Sequence, residues 1–517
     1  MLMLFSAALQ ILIFPLPNLY MLCWVAVTPL LIAILRARQP QTLQLRAGIK
    51  LLPASPLQAF LLGYACGILW YAGTCYWIYS VMHQYGGVSV PAGIGILILF
   101  CLYLAIYHGV FGLLLSLIAG RGPINLRVLL LSPVLWVAVE LARTRITGFP
   151  WGLLGTAQVD NIPLSRIASV TGVYGLSFEI MLVNAAFAAA FLVPREKRNH
   201  LLIATVAAAV ILQAGRLVPA PAIPADHVAV LVQANVPILE ASDWTKPYFN
   251  DTLRDLAALS LDPQGAPHPN LIVWPENPAP FYNSDPLFRD AVSNVARQAN
   301  AWLLAGSIGI RNASASKSTE MYNSAALVSA GGEWVARYDK VHLVPFGEYV
   351  PFRQMFSFAA GLTKEVGDFS RGMSRQPLDA GGTKLGVFIC YESIFPDEIR
   401  QLAKNGAQVL VNISNDGWYG DSGAYAQHLK QSRMRAVEND RWLLLDTNTG
   451  VTAAIDPDGR IVARAPRKTR TALRAPYALV NSTTFYTRHG DWFAYLCAII
   501  SIAALFMCLF VRKEKET

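Results

Sequence analysis

Three side chains of complementary chemistry stand directly after strand-like apolar runs. They are Glu276 in Val273-Trp-Pro-Glu-Asn277, Lys340 in Arg337-Tyr-Asp-Lys-Val-His342, and Cys390 at the end of Gly386-Val-Phe-Ile-Cys390. A thiol needs a base before it attacks a carbonyl, and the oxyanion that forms needs a cation or N–H donors beside it. Glutamate, lysine and cysteine supply those parts, and strand ends are rigid places to present them. Each residue also has a plainer reading. Glu276 could cap a helix, Lys340 could pair with Asp339 on the surface, and a lone cysteine is more often a small buried hydrophobe. No spacing rule joins the three, so residue chemistry alone leaves a catalytic set and three unrelated residues open.

The elements that must hold them follow from the apolar pattern. His227–Gln233, Asn270–Trp274 and Ala301–Gly306 read as buried strands, with a helix over 285–300 between the last two. Ala325–Val328 and Glu333–Tyr338 flank Gly331-Gly332 as a hairpin. The run into Cys390 is followed by helix-type sequence over Asp397–Lys404, closed by Asn405-Gly406. A side chain at such a turn sits near the amide N–H groups that open the helix, which favour a thiolate and then an oxyanion. Strands at 408–412, 441–446 and 452–455, a helix over 423–441 and a turn at Asp456–Gly459 complete the pattern. Many strands alternating with three helices predict a two-layer α/β domain, two sheets with helices outside.

Around that domain the composition changes. Of 517 residues 54% are hydrophobic and 15% charged, against roughly 25% charged in soluble proteins. The apolar excess fills 1–217 and 491–511, while 226–480 reads as soluble. Eight spans are expected near 3–14, 18–35, 57–80, 91–119, 126–142, 165–193, 200–217 and 491–511. The first is short for a crossing and meets the second through Pro15-Leu-Pro17. A cleaved leader is the other reading of 1–20, but no charged segment precedes the apolar run. The domains predicted are a seven-span membrane domain at 1–217, a catalytic domain at 218–490, and a last span with its tail at 491–517.

The formal net charge of +9 has a local origin. Twelve basic residues and three acids lie in four short segments: Arg36–Lys50, Arg121–Arg127, Arg195–Arg198 and Arg512–Lys515 with its flank. Placing all four inside puts both termini in the cytoplasm and 218–490 outside. This pattern excludes a polyanion-binding surface, so no nucleic-acid partner is expected. Six cysteines lie in apolar segments and Cys390 alone in the outer domain, with no metal-ligand spacing. No metal and no cofactor are expected, and nothing demands more than a monomer. Glu140, Glu179 and Asn184 interrupt apolar runs, where polar groups usually face a bundle interior. The turn Gly148-Phe-Pro-Trp151 suits a membrane interface, with a lipid headgroup as a further contact. His342 and His428 lack a third metal ligand, and structural hydrogen bonding is expected of both.

Several segments together carry a resemblance. Trp274-Pro-Glu276, Tyr338-Asp-Lys-Val-His-Leu-Val-Pro-Phe-Gly-Glu348 and Cys390-Tyr-Glu392 resemble the nitrilase, or carbon–nitrogen hydrolase, superfamily. With Gly148-Phe-Pro-Trp151, Ser414-Asn-Asp-Gly-Trp-Tyr419, Tyr486-Thr-Arg-His-Gly-Asp-Trp492 and the spans, most of the chain is similar to the apolipoprotein N-acyltransferase family. The resemblance implies an αββα sandwich carried by a multi-pass helical membrane domain. It implies Glu276 as general base, Lys340 at the oxyanion and Cys390 as nucleophile. Glu348 would orient the lysine and assist proton transfer, while Tyr391 and Glu392 support the pocket. Trp244 is carried over as a substrate-binding tryptophan, at a longer spacing from Gln233-Ala-Asn235 than the family's.

The reaction implied is ping-pong acyl transfer in the bacterial inner membrane, with the catalytic domain facing the periplasm. The donor is a phospholipid, phosphatidylethanolamine foremost, and the acceptor the N-terminal diacylglyceryl-cysteine of an apolipoprotein. Residues 352–373, with Met355, Phe356, Phe358 and Leu362, are expected as a flap dipping into the membrane or as a helix on the core. A membrane-tethered amidase with the same three residues, and a transporter or scaffold with an inert outer domain, are the other classes.

Overall fold

The computed structural model describes residues 1–36, 52–120, 126–192, 223–239, 243–262, 267–312, 319–349 and 369–516, with a few positions between 203 and 210. The chain forms two compact units: Met1–Tyr79 with Pro91–Ala220 and His489–Thr517, and Ser80–Val90 with Pro221–Arg488. Most of the 200–217 span and of the 352–373 flap lies outside the described residues.

The first unit is helical. Val90–Ala119 and Val173–Leu192 are long and apolar enough to cross a bilayer, and Pro56–Thr74 with Trp77–Tyr85 makes a third if that pair, bent by 52°, is one span. Leu2–Leu12, Tyr20–Leu35 and Trp492–Cys508 are shorter apolar helices. By length and composition the described helices therefore give two or three spans, against eight expected. Ser55 starts its helix with a capping box, its Oγ accepting from the Gln58 N–H while Gln58 Oε1 accepts from the Ser55 N–H. The helices Pro56–Thr74 and Val90–Ala119 approach so closely that a Cβ on Gly63 would stand 2.2 Å from the His108 carbonyl oxygen, and one on Gly112 2.2 Å from that of Ala59. Small residues allow that approach where water cannot drive association.

The polar residues of the apolar runs do turn inward. Asn184 is fully buried; its Oδ1 accepts from the Val27 and Thr28 N–H groups at 2.8 and 2.9 Å, and its Nδ2 donates to the Cys23 and Ile180 carbonyls. Glu140 is buried with Oε1 accepting from the Leu154 N–H at 2.8 Å, while Glu179 is half-buried. Trp151 corrects an expectation. It is 1% exposed and packs on Trp77 at 4.8 Å, so this turn folds into the unit rather than offering its tryptophan to headgroups. The seven cysteines are all free, six of them buried.

The second unit is built on twelve strands: β1 His227–Gln233, β2 Leu271–Val273, β3 Trp302–Asn312, β4 Thr319–Val328, β5 Trp334–Asp339, β6 Leu378–Ala380, β7 Thr383–Ile389, β8 Val409–Ser414, β9 Leu443–Thr447, β10 Ala453–Ile455, β11 Ile461–Arg464 and β12 Thr471–Tyr477. They form two six-stranded sheets, ordered β12-β1-β2-β3-β4-β5 and β11-β10-β9-β8-β7-β6. Each sheet has a parallel centre, β1-β2-β3 or β7-β8-β9, and antiparallel edges. Helices Lys246–Leu261 and Pro286–Ala299 connect the parallel strands of the first sheet; Pro396–Lys404 and Ala424–Asn439 connect those of the second. Each pair buries an apolar face on its own sheet, around Trp274, Phe281 and Phe288 in one layer and Phe388, Leu402 and Leu445 in the other. This is the expected two-sheet sandwich, with one helix more than the three expected.

Replacing Asn184 with leucine orphans two buried N–H groups, each costing on the order of 1–3 kcal/mol. The expected outcome is a lower melting temperature for the purified protein in detergent, measured by differential scanning fluorimetry.

Candidate active site

The polar residues stand just beyond the ends of four strands. Glu276 lies three residues past β2, Lys340 follows β5, Cys390 follows β7 and Asn415 follows β8. Lys340 is 1% exposed, and its Nζ donates to Glu276 Oε1 at 3.2 Å and to Glu348 Oε1 at 3.0 Å. Asn323, from the middle of β4, donates through Nδ2 to the same two oxygens at 2.7 and 2.6 Å. Asn277 Nδ2 in turn donates to Asn323 Oδ1 at 3.0 Å, fixing which way that amide faces. The second oxygen of Glu276 accepts from the Asn415 N–H at 2.8 Å, and that of Glu348 from the Val344 N–H at 2.8 Å. Every carboxylate oxygen therefore has a donor. Burial works against the Lys340 charge, but Glu276 and Glu348 outweigh it and raise its pKa, so the ammonium is permanent.

Cys390 is buried and its backbone has φ +50, a left-handed conformation rare for a residue with a Cβ. The residues after it do not enter the helix directly. A 3-10 turn spans Cys390–Ile394, and the α-helix starts only at Pro396. The expected position beside the first amides of an α-helix is thus corrected to a tight turn before it. Glu392 holds that turn. Its Oε1 accepts from the Val341 and His342 N–H groups at 2.7 and 3.0 Å, its Oε2 from the Ile389 N–H at 2.7 Å, and the Tyr338 hydroxyl donates to both. One carboxyl thereby ties the lysine loop of the first sheet to the cysteine turn of the second.

The expectation of a stabilised thiolate is also corrected. Burial raises the Cys390 pKa well above the usual thiol value, and the Glu276 charge adds to this; Lys340 opposes them without prevailing. The resting group is a neutral thiol, so attack requires a base to take its proton during the step. Tyr391 is buried against Phe395, edge to face at 5.3 Å, and His342 stacks on the same ring at 3.7 Å.

Trp244 is partly buried and packs with Tyr248 on the apolar layer of the first sheet. Asn323, Asn415, Tyr338 and His428 were not expected in the site. Asn323 left a legible trace, a polar residue in an otherwise buried strand, and Asn415 belongs to the Ser414–Tyr419 segment that resembles the family.

Comparison with known proteins agrees with both units. The profile of an apolipoprotein N-acyltransferase N-terminal domain matches residues 6–186, and that of a carbon–nitrogen hydrolase matches 231–481. An apolipoprotein N-acyltransferase of Geobacter metallireducens is 35% identical over 98% of this chain and 94% of its own. The chain belongs to the apolipoprotein N-acyltransferase family. Another member, from Methylococcus capsulatus, is 36% identical over 86% of this chain and 87% of its own. Among solved structures, an amidase from Nesterenkonia sp. aligns with 53% of this chain and 97% of its own at 20% identity and a TM-score of 0.37. The carbon–nitrogen hydrolase fold of the second unit is that of the matching family.

Two measurements follow from the charges. Changing Glu276 to glutamine removes a negative charge that raises the Cys390 pKa, so iodoacetamide should alkylate Cys390 faster at pH 8 while acyl-enzyme formation falls. A parallel loss of both would contradict the charge arrangement. Burial pushes Glu392 up to about 7 against the backbone N–H groups that favour its charge. Its folded value thus lies above the ordinary 4.5, and the folded protein holds more protons than the unfolded chain between these values. Stability from this group falls as pH rises through that window, by roughly 1–3 kcal/mol. Melting curves at pH 5 and pH 7 should show the wild type losing that much relative to a Glu392→Gln variant.

Proposed function

We propose that the chain transfers the sn-1 acyl chain of a phospholipid to the α-amino group of an apolipoprotein's N-terminal diacylglyceryl-cysteine, through a thioester on Cys390. The observation that carries this reading is the buried Lys340 ammonium, bound by Glu276 and Glu348 beside a neutral cysteine, in a member of this family. Glu276 takes the Sγ proton as sulfur attacks the ester carbonyl, and Lys340 holds the oxyanion. The ester C–O bond breaks, the proton passes to the departing lysophospholipid oxygen, and a thioester remains. The neutral α-amine then attacks. Glu276 accepts its proton, the amide forms, the C–S bond breaks and the proton returns to sulfur. An amine pKa of about 7.7–8.0 makes the neutral form accessible.

The setting proposed is a bacterial inner membrane, with eight spans, both termini cytoplasmic and the catalytic domain periplasmic. Domain limits are 1–217, 218–490 and 491–517, and the enzyme acts as a monomer. Phosphatidylethanolamine is the donor. Glu348 orients Lys340, Glu392 and Tyr391 shape the pocket, and Trp244 is assigned a substrate contact.

Intact mass of the purified enzyme after incubation with phosphatidylethanolamine tests this. A single acyl-sized adduct is expected, absent from Cys390→Ala and discharged by a diacylated lipopeptide that gains the acyl group. Lys340→Ala should slow its formation by about 10²–10³, the usual cost of losing one oxyanion donor. An adduct discharged by water, with the lipopeptide unmodified, would make the protein a hydrolase instead.

A further inference from the structure

Beneath the cysteine turn lies a buried histidine. His428, on the helix Ala424–Asn439, is fully buried. Its Nε2 stands 3.1 Å from the Cys390 carbonyl oxygen, and its Nδ1 stands 3.3 Å from Asp416 Oδ1. A carbonyl oxygen can only accept, so Nε2 carries a hydrogen. A carboxylate oxygen also only accepts, and Oδ1 is already the acceptor for the Ser414 hydroxyl at 2.7 Å. Nδ1 lies at ion-pair distance from that carboxylate in a fully buried setting, which favours the form in which Nδ1 carries a hydrogen too. Two ring N–H groups make an imidazolium.

We infer that His428 is a positioning residue, an imidazolium paired with Asp416 that holds the Cys390 carbonyl in its left-handed turn and lowers the free energy of the thiolate formed above it. This deepens the proposed function and rests on Cys390 being the nucleophile. The groups facing the ring are Asp416, the Cys390 peptide, Glu276 and the Tyr419 ring at 6.0 Å. Burial opposes charging the ring, and the Asp416 carboxylate more than offsets it, so its pKa is raised. The second role follows from the charges around the thiol. Glu276 and Asp416 both oppose ionisation of Cys390, and Lys340 is already bound by two carboxylates. An imidazolium paired to Asp416 cancels one of the two opposing charges. It also anchors the carbonyl of the residue with φ +50, a conformation that surrounding structure must impose.

The test is the pH dependence of Cys390 alkylation by iodoacetamide, read by intact mass on the full-length enzyme in detergent with Cys390→Ala as background. Iodoacetamide reports the thiolate whichever acceptor takes the acyl group, so failure of the transfer reaction would not be confused with failure here. His428→Gln can still donate to the Cys390 carbonyl but carries no charge. Its alkylation limb is expected to move up by about one pH unit, about tenfold slower at pH 8. Asp416→Asn keeps the ring but removes its counter-charge, so burial leaves the ring neutral. Both charges of the pair are then lost together and the alkylation limb should stay near the wild-type position, whereas a ring that was neutral from the start would let the limb move down by about one pH unit. A His428→Gln limb at the wild-type position overturns the inference. If that variant does not fold, a limb that moves down in Asp416→Asn overturns it. A wild-type thiol that never alkylates would remove the nucleophile, and this inference with it.

Discussion

A lysine ammonium buried between two carboxylates is the constraint on which the site depends. Desolvating such a charge costs several kcal/mol, and only close, fully hydrogen-bonded partners offset it. Lys340 has them in Glu276 and Glu348, and Asn323 bridges the same two oxygens. The excess negative charge of this cluster has a use. It leaves Glu276 as the carboxylate next to the thiol, with one oxygen held by the Asn415 N–H, while Glu348 serves Lys340 from the other side. Loss of either glutamate would leave the ammonium under-compensated in a dry environment, so binding, orientation and charge cannot be varied separately here.

That cluster belongs to the first sheet and the cysteine to the second, so their register depends on contacts across the seam. Glu392 makes one of these, accepting backbone N–H groups from both sides, and the Asn415 N–H makes another in the opposite direction. Asn448 adds a third below them, its Nδ2 donating to the Val236 carbonyl while its Oδ1 accepts the Val236 N–H. Three polar bridges across an apolar sandwich are directional in a way that side-chain packing is not. They hold Glu276, Lys340 and Cys390 in fixed relation to one another.

Much of this was legible in the chain. Glu276, Lys340 and Cys390 stood out because each ends an apolar run, and the structure does bring them together with Glu348 and Glu392. Their partners were less legible: Asn323 left only the trace of a polar residue in a buried strand, and His428 reaches the cysteine turn through helix packing with no local signal of purpose. The helix Lys246–Leu261 was missed although Thr245 caps it and Pro247 opens it, because its apolar residues begin a turn later. Strand β12 escaped for a topological reason: it pairs with β1 from the far end of the domain, along the register His227 to Tyr477. In the helical unit the apolar runs were plain, but the described helices are in places broken, as at the 52° bend after Thr74, so run length alone does not fix the number of crossings.

The state of the thiol joins these threads. A cysteine with a preformed thiolate reacts with any oxidant or electrophile that reaches it. Cys390 is buried, protonated at rest and short of a second thiol in its unit. In the oxidising compartment proposed for it, that protonation protects the nucleophile until a carbonyl is seated. The cost is that deprotonation must occur within the chemical step, and the same negative cluster that binds Lys340 makes it harder. In the proposed mechanism a base one hydrogen bond from the ammonium resolves the conflict: as Glu276 takes the proton its own charge disappears, and the negative charge moves to the sulfur and then to the oxyanion. Lys340, having lost one carboxylate partner, is then free to hold the new anion. The pair thus stabilises the transition state more than the resting state, which is the condition for acceleration.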